Sequence, residues 1–132
     1  MISDRVFLDA NVLFSAAYRP DAGICRLWRL DNVRLLTSSY AATEARVNLA
    51  EEAQLTRLQQ LLQPIEMVSG LAFLPLGVTL PEKDRPILQA AIYGRSTHLL
   101  TGDRQHFGKY FGREIGGLWV LLPAACFKQL RR

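Results

Sequence analysis

The apolar positions fall into short blocks that alternate between two periods. Val6-Phe7-Leu8 is a continuous apolar run of strand length, and His98-Leu99-Leu100-Thr101 and Val120 to Leu122 have the same character. Val33 to Leu36 predicts a further strand, which ends in the polar Thr37-Ser38-Ser39. Helical segments separate these blocks: a small helix through Asn11 to Ala17, another from about Ile24 to Leu30, and a long one from Ala41 to Leu62. In the last, Val47, Leu55, Leu58, Leu61 and Leu62 are spaced as a core-facing stripe. Pro64, Gly70, Pro75 and Gly77 break the helical pattern, so Phe73 to Leu80 is expected to be extended. Pro81 and Pro86 bracket Asp84 at the start of a helix running to about Arg95, since proline is tolerated in a first turn, and Gly94 marks its end. Gly102-Asp103 turns into a short helix carrying His106, Phe107 and Tyr110, and Pro123 to Leu130 predicts the last helix.

Strands separated by helices predict an α/β domain with a mostly parallel sheet, whose ligands sit outside the carboxyl ends of the strands. The chain carries no repeat, linker or charge run, and its 132 residues are expected to form a single domain spanning 1–132. At 49% hydrophobic and 21% charged residues, the composition excludes a disordered or low-complexity chain. The longest apolar stretch, Leu118 to Phe127, is interrupted by Pro123 and is too short to cross a membrane. Met1-Ile2-Ser3-Asp4-Arg5 leads into an apolar run that contains Asp9, unlike a signal peptide, so a soluble cytoplasmic protein is expected. Cys25 and Cys126 form no CxxC motif and are read as reduced and buried.

The net charge of +4, with thirteen Arg against three Lys, permits a polyanionic partner without demanding one. The arginines are scattered, and only Arg131 and Arg132 adjoin. Biased codon usage explains the excess of Arg equally well.

The acidic residues carry more information. Asp9 directly follows the first strand, and Asp103 follows the His98 strand with one Gly between, so both stand on the same sheet edge. Glu44, early in the helix after the second strand, and Asp84, before the His98 strand, also lie where residues face the crevice. Taken singly, each has a plain structural use: Asp84 and Asp103 as N-caps, Asp9 as a turn residue, Glu44 as a solvated helix residue. Their joint placement is what suggests a site. At ~5 Å and an effective dielectric of ~20, each like-charge pair costs roughly 3 kcal/mol, so protons or a cation must neutralise the cluster. An all-oxygen, carboxylate-rich site without Cys or adjacent His ligands is expected to suit Mg²⁺ or Mn²⁺ rather than zinc, and such ions support hydrolytic phosphoryl chemistry.

Four segments, VFLDANVLFSA at Val6 to Ala16, SSYAATEARVNL at Ser38 to Leu49, LPEKDRPILQAA at Leu80 to Ala91 and LLTGDRQHFG at Leu99 to Gly108, resemble the PIN-domain (PilT N-terminal) ribonucleases. Many members of that family are toxins of prokaryotic toxin/antitoxin pairs, and the resemblance spans nearly the whole chain in the family's order. It implies a three-layer α/β/α sandwich and a metal-dependent endoribonuclease. The family's acidic quartet falls on Asp9, Glu44, Asp84 and Asp103, which would bind one or two ions, Mg²⁺ or Mn²⁺. Its accompanying polar positions fall on Asn11, which would hold a carboxylate, and Thr101, which would hydrogen-bond at the metal edge. Glu44 or Asp84 would orient the attacking water. The partners implied are an RNA substrate, a cognate antitoxin protein and, as is frequent in the family, a second copy of the chain.

Arg46, Arg85 and Arg104 each lie one or two residues from an acid and are candidates for contact with RNA, or for pairing with those acids in the absence of metal. His106 has no orienting partner visible in the sequence and is assigned a structural or substrate-edge role beside a packing Phe107. Trp28 and Trp119, which could stack on bases, are assigned to the core. A haloacid-dehalogenase phosphatase is excluded because the position two after Asp9 is Asn11, and a receiver domain because Ala10 follows Asp9 and Leu122 precedes Pro123. The remaining alternative is a catalytically inactive PIN-like module for RNA binding or protein interaction.

Overall fold

The computed structural model describes residues 4–130. The Arg131-Arg132 pair and the first three residues lie outside the described residues. In chain order the elements are β1 (Asp4–Leu8), α1 (Ala10–Tyr18), a 3-10 helix (Gly23–Arg29), β2 (Val33–Ser38), α2 (Ser39–Asn48), α3 (Glu52–Leu62) and β3 (Glu66–Val68). There follow a 3-10 turn (Glu82–Asp84), α4 (Arg85–Tyr93), β4 (His98–Leu100), α5 (Arg104–Phe107), β5 (Arg113–Ile115), β6 (Leu118–Leu121) and α6 (Pro123–Leu130).

The six strands form one sheet in the order β3-β2-β1-β4-β6-β5, parallel throughout except for β5, which runs antiparallel to β6. Val6, Phe7 and Leu8 are fully buried, as a central parallel strand covered on both faces requires. The chain steps outward from β1 to β2 to β3 and then returns to place β4 on the other side of β1. The outward connections carry α1, α2 and α3, with α1 packed on the other two, and the return carries α4, which packs on β2 and β3. Right-handed crossovers put these two groups on opposite faces. The result is the expected three-layer α/β/α arrangement with a mostly parallel sheet. The reversal of direction between β1 and β4 opens a crevice at their carboxyl ends, where ligands bind in doubly wound sheets.

The long helix expected over Ala41 to Leu62 is two helices. Leu49 adopts extended backbone, and α3 restarts behind Glu51, whose amide donates to Gln54 Oε1 at 3.1 Å. This belongs to a capping box, in which the Glu51 side chain meets the Gln54 amide while the Gln54 side chain reaches back to the Glu51 amide. The break turns Val47 out to 73% exposure, so it does not belong to the core stripe, whereas Leu58 is buried and Leu55, Leu61 and Leu62 pack against the core. The segment from Phe73 to Leu80 forms no strand; Phe73 and Leu76 stand fully in solvent, and the chain turns at Leu76-Gly77. Two edge strands escaped the sequence reading. β3 has only three residues, and β5 joins β6 through Gly116-Gly117, both at positive φ (59° and 87°), as a two-residue hairpin turn demands.

Trp28 packs against the core and donates from its indole nitrogen to Leu61 O at 2.9 Å. Trp119 corrects the expectation for its partner. Strand alternation buries Leu118 and Val120 and turns Trp119 to the other face near the sheet edge, where it is 36% exposed. Both cysteines are free; Cys126 is buried, but Cys25, on the surface-facing 3-10 helix, is only partly so. Among the described residues, no helix is long and apolar enough to cross a membrane.

Candidate functional site

The register of β1 against β4 builds the floor of the site. Leu8 pairs with Leu100, and the Asp9 amide donates to Leu100 O at 3.0 Å, so Asp9 and Thr101 leave the sheet side by side. Asp9 caps α1, its Oδ1 accepting from the Ala10 amide at 2.6 Å. Its Oδ2 accepts the Thr101 hydroxyl at 2.8 Å and the Asn11 side-chain amide at 3.3 Å. Asn11 also spans to the β4 end, where its Oδ1 accepts from the Gly102 amide at 2.7 Å. Thr101 Oγ1 in turn accepts from the Asp103 amide at 3.1 Å. Both oxygens of Asp9 are thus fixed by a network that ties the β1 loop to the β4 loop across the crevice.

Asp103 heads α5. Its Oδ1 accepts from the His106 amide at 3.0 Å, and its Oδ2 lies 2.8 Å from the His106 Nδ1. The N-cap reading is therefore correct for Asp103 but incomplete, because the second oxygen is free to face the imidazole. Asp84 begins α4 without capping it through its side chain. Its Oδ2 lies 2.9 Å from the same His106 Nδ1. A ring nitrogen has at most one hydrogen to give, and the Asp84 Oδ2 is buried and accepts no hydrogen bond among the described residues. His106, expected to lack an orienting partner, stands between two carboxylates. The reason is local: the α5 turn brings the side chain three residues after Asp103 back over its own cap, while the neighbouring Phe107 anchors the turn in the core.

Asp9, Glu44, Asp84 and Asp103 line one open cleft of about 420 Å³, with Asn11, Phe14, Asn48 and Lys83 in its wall. Glu44 reaches it from α2, a helix started by Ser38, whose hydroxyl accepts from the Ala41 amide at 3.2 Å. Burial raises the Asp9 carboxyl to about 6, against the opposing pull of Thr101 and the Ala10 amide, and the charges of Asp84 and Glu44 push it the same way. Glu44 is raised by its own burial and then by the charge of Asp84. Asp84 is raised by burial, offset by His106 and reinforced by Asp103. Such mutual displacement toward the protonated form is the mark of carboxylates gathered without enough positive charge.

The cation in the cleft wall is Lys83, which the sequence reading passed over; its place immediately before Asp84 was the available signal. Tyr40, also missed, tethers this turn by donating its hydroxyl to Lys83 O at 2.6 Å. Arg46, Arg85 and Arg104 are exposed and lie outside the cleft lining, and the Arg85 Nε donates to Leu80 O at 3.1 Å.

The sequence matches no family model, and no curated protein matches it. Among solved structures, it is similar to a chain in the crystal structure of VapBC2 from Rickettsia felis bound to a DNA fragment from their promoter. The superposition covers 88% of this chain and 96% of that one, with a TM-score of 0.62 and 17% sequence identity. The two chains share a fold.

Proposed function

We propose that this chain is a PIN-domain endoribonuclease that depends on a divalent cation, Mg²⁺ or Mn²⁺, and hydrolyses RNA phosphodiester bonds as the toxin of a toxin/antitoxin pair. The observation that carries this reading is the convergence of Asp9, Glu44, Asp84 and Asp103 in one cleft at the reversal of strand order, with Asp9 raised to about 6. The fold shared with VapBC2 supports it.

The residues present fit a hard divalent ion. The acids supply oxygen donors, three of them are held toward protonation by burial and by one another, and the buried Asp84 Oδ2 accepts no hydrogen bond. Asp9, Glu44, Asp84 and Asp103 would hold the ion. When bound, such an ion activates water and offsets charge on a phosphodiester. Thr101 and Asn11 fix the Asp9 carboxylate so that it need not reorganise during the reaction. Glu44 or Asp84 would orient the attacking water, and Lys83, also in the cleft wall, would face the phosphate charge. A cognate antitoxin protein, a second copy of the chain and a cytoplasmic setting complete the proposal.

The test is cleavage of end-labelled single-stranded RNA and total tRNA by the purified protein with Mg²⁺, Mn²⁺ or EDTA. Discrete products that appear only with metal are expected. Absence of products together with absence of any metal-dependent melting shift would replace this reading with the inactive module. Lys83→Ala is expected to leave the fold intact and to reduce the slope of log K for RNA binding against log salt by ~0.7, the share of one phosphate contact on a single strand. Filter binding between low and moderate salt reads that slope, and an unchanged slope removes Lys83 from the interface.

A further inference from the structure

The strongest feature left unused is the imidazole between Asp84 and Asp103. One nitrogen, His106 Nδ1, lies 2.8 Å from Asp103 Oδ2 and 2.9 Å from Asp84 Oδ2. The ligating atoms of the three residues all fall within 4.8 Å of one another. Two carboxylates and an imidazole nitrogen facing a common point are a mixed oxygen and nitrogen donor set. A second observation points to a ligand there: Asp84 is only 9% exposed, yet its buried Oδ2 has no hydrogen-bond donor among the described residues. A buried carboxylate oxygen left in this state costs free energy unless something positive meets it.

The imidazole is held in place on its own side. The His106 amide is bound by Asp103 Oδ1 at 3.0 Å, and Phe107 next to it is 1% exposed, so the α5 turn has little freedom to carry the ring away.

Resting on the metal-dependent reading above, we propose that His106 is a nitrogen ligand of the bound ion and makes this centre selective for a transition ion, Mn²⁺, over Mg²⁺. Mg²⁺ is held by carboxylates and water in strict octahedral geometry and gains little from an imidazole, whereas first-row transition ions accept nitrogen donors. Ligation through Nδ1 uses the lone pair of the neutral ring, whose proton then resides on Nε2, and it removes the ring N–H from competition for the two carboxylates. The rival role is a fixed hydrogen-bond donor that occupies the acids and must be displaced by any ion. The two roles predict opposite effects of removing the ring.

The experiment loads the full chain with Mn²⁺ and records pulsed electron paramagnetic resonance for ¹⁴N coupling, beside calorimetric titration of Mn²⁺ and Mg²⁺ into wild type, His106→Ala and His106→Gln. Circular dichroism identifies the variant that keeps the fold. The expected result is nitrogen coupling in the wild type that is lost in the variant, with Mn²⁺ affinity falling about tenfold or more and Mg²⁺ affinity within about twofold of wild type. Bound Mn²⁺ without nitrogen coupling, or a variant that binds both ions more tightly, overturns the assignment of His106 and leaves the acidic metal site standing. Failure of the wild type to bind Mn²⁺ at all overturns both.

Discussion

Asp9→Asn is expected to lower metal-dependent RNA cleavage by at least ~100-fold, the upper end of what losing a partner outside the ligand shell costs. The fold should persist, because the Asn side-chain oxygen can still accept from the Ala10 amide and keep α1 capped, while its amide can point at Thr101 Oγ1. What is lost is the negative charge at the point where β1 meets the crevice. Thr101→Val separates that charge from its positioning. Thr101 is fully buried, so the isosteric change removes one hydroxyl that donates to Asp9 Oδ2 at 2.8 Å and accepts from the Asp103 amide at 3.1 Å. A drop of ~10–100-fold is expected there. Initial rates at saturating Mn²⁺, with circular dichroism as the folding control, check both. Activity of Asp9→Asn within a few-fold of wild type would remove Asp9 from the chemistry and, with it, the four-acid reading of the cleft.

The parts of this site that were legible in the sequence are those set by strand ends. A short apolar run such as Val6-Phe7-Leu8, between helical segments, reads as a buried strand, and a polar residue directly after it emerges at the sheet edge, which placed Asp9 and Asp103. Of the two expected caps, Asp103 caps α5 with one oxygen and faces His106 with the other, whereas Asp84 does not cap α4 through its side chain; Asp9, read as a turn residue, caps α1 with one oxygen and is held by Thr101 and Asn11 at the other. His106 was misjudged for a different reason. Its partners are Asp103, one turn away, and Asp84, which arrives from another element, and no periodicity in the sequence reports a contact between α5 and the turn before α4. The restart at Glu51 was missed because Glu is an uncommon N-cap and the flanking residues all favour helix. Gly116-Gly117 did announce a hairpin; the run Arg113–Ile115 was too short and too polar to be read as its first strand.

Metal and pH should act on the same carboxylates, and the sign follows from Asp9. Its pKa is 3.8 in the unfolded chain and about 6 when folded, so between those values the folded state holds a proton that the unfolded state has released. Stability is therefore highest below about pH 4, falls as pH rises through the window to about 6, and is flat above it as far as this group is concerned. For a group this deeply buried the loss amounts to roughly 3 kcal/mol, at ~1.4 kcal/mol per pKa unit. Glu44 and Asp84, also raised, act in the same direction. In EDTA, the melting temperature of Asp9→Asn is expected to fall less than that of wild type across this window and to exceed it at pH 7. Asp103→Asn gains less from relief of repulsion, because it gives up the charge that faces His106. With Mn²⁺ at ~100 times its dissociation constant, wild type at pH 7 gains roughly 2.7 kcal/mol, about 10 °C for a chain of this size. That gain should shrink below pH 6, where protons compete for Asp9, and should be abolished in Asp9→Asn. Differential scanning calorimetry at several pH values, with Mn²⁺ and with EDTA, reads all of these. A wild-type melt that rises with pH in EDTA, or that ignores Mn²⁺ at pH 7, would mean that the four acids do not share a charge-poor cleft, and neutralisation by a cation would then have no energetic basis.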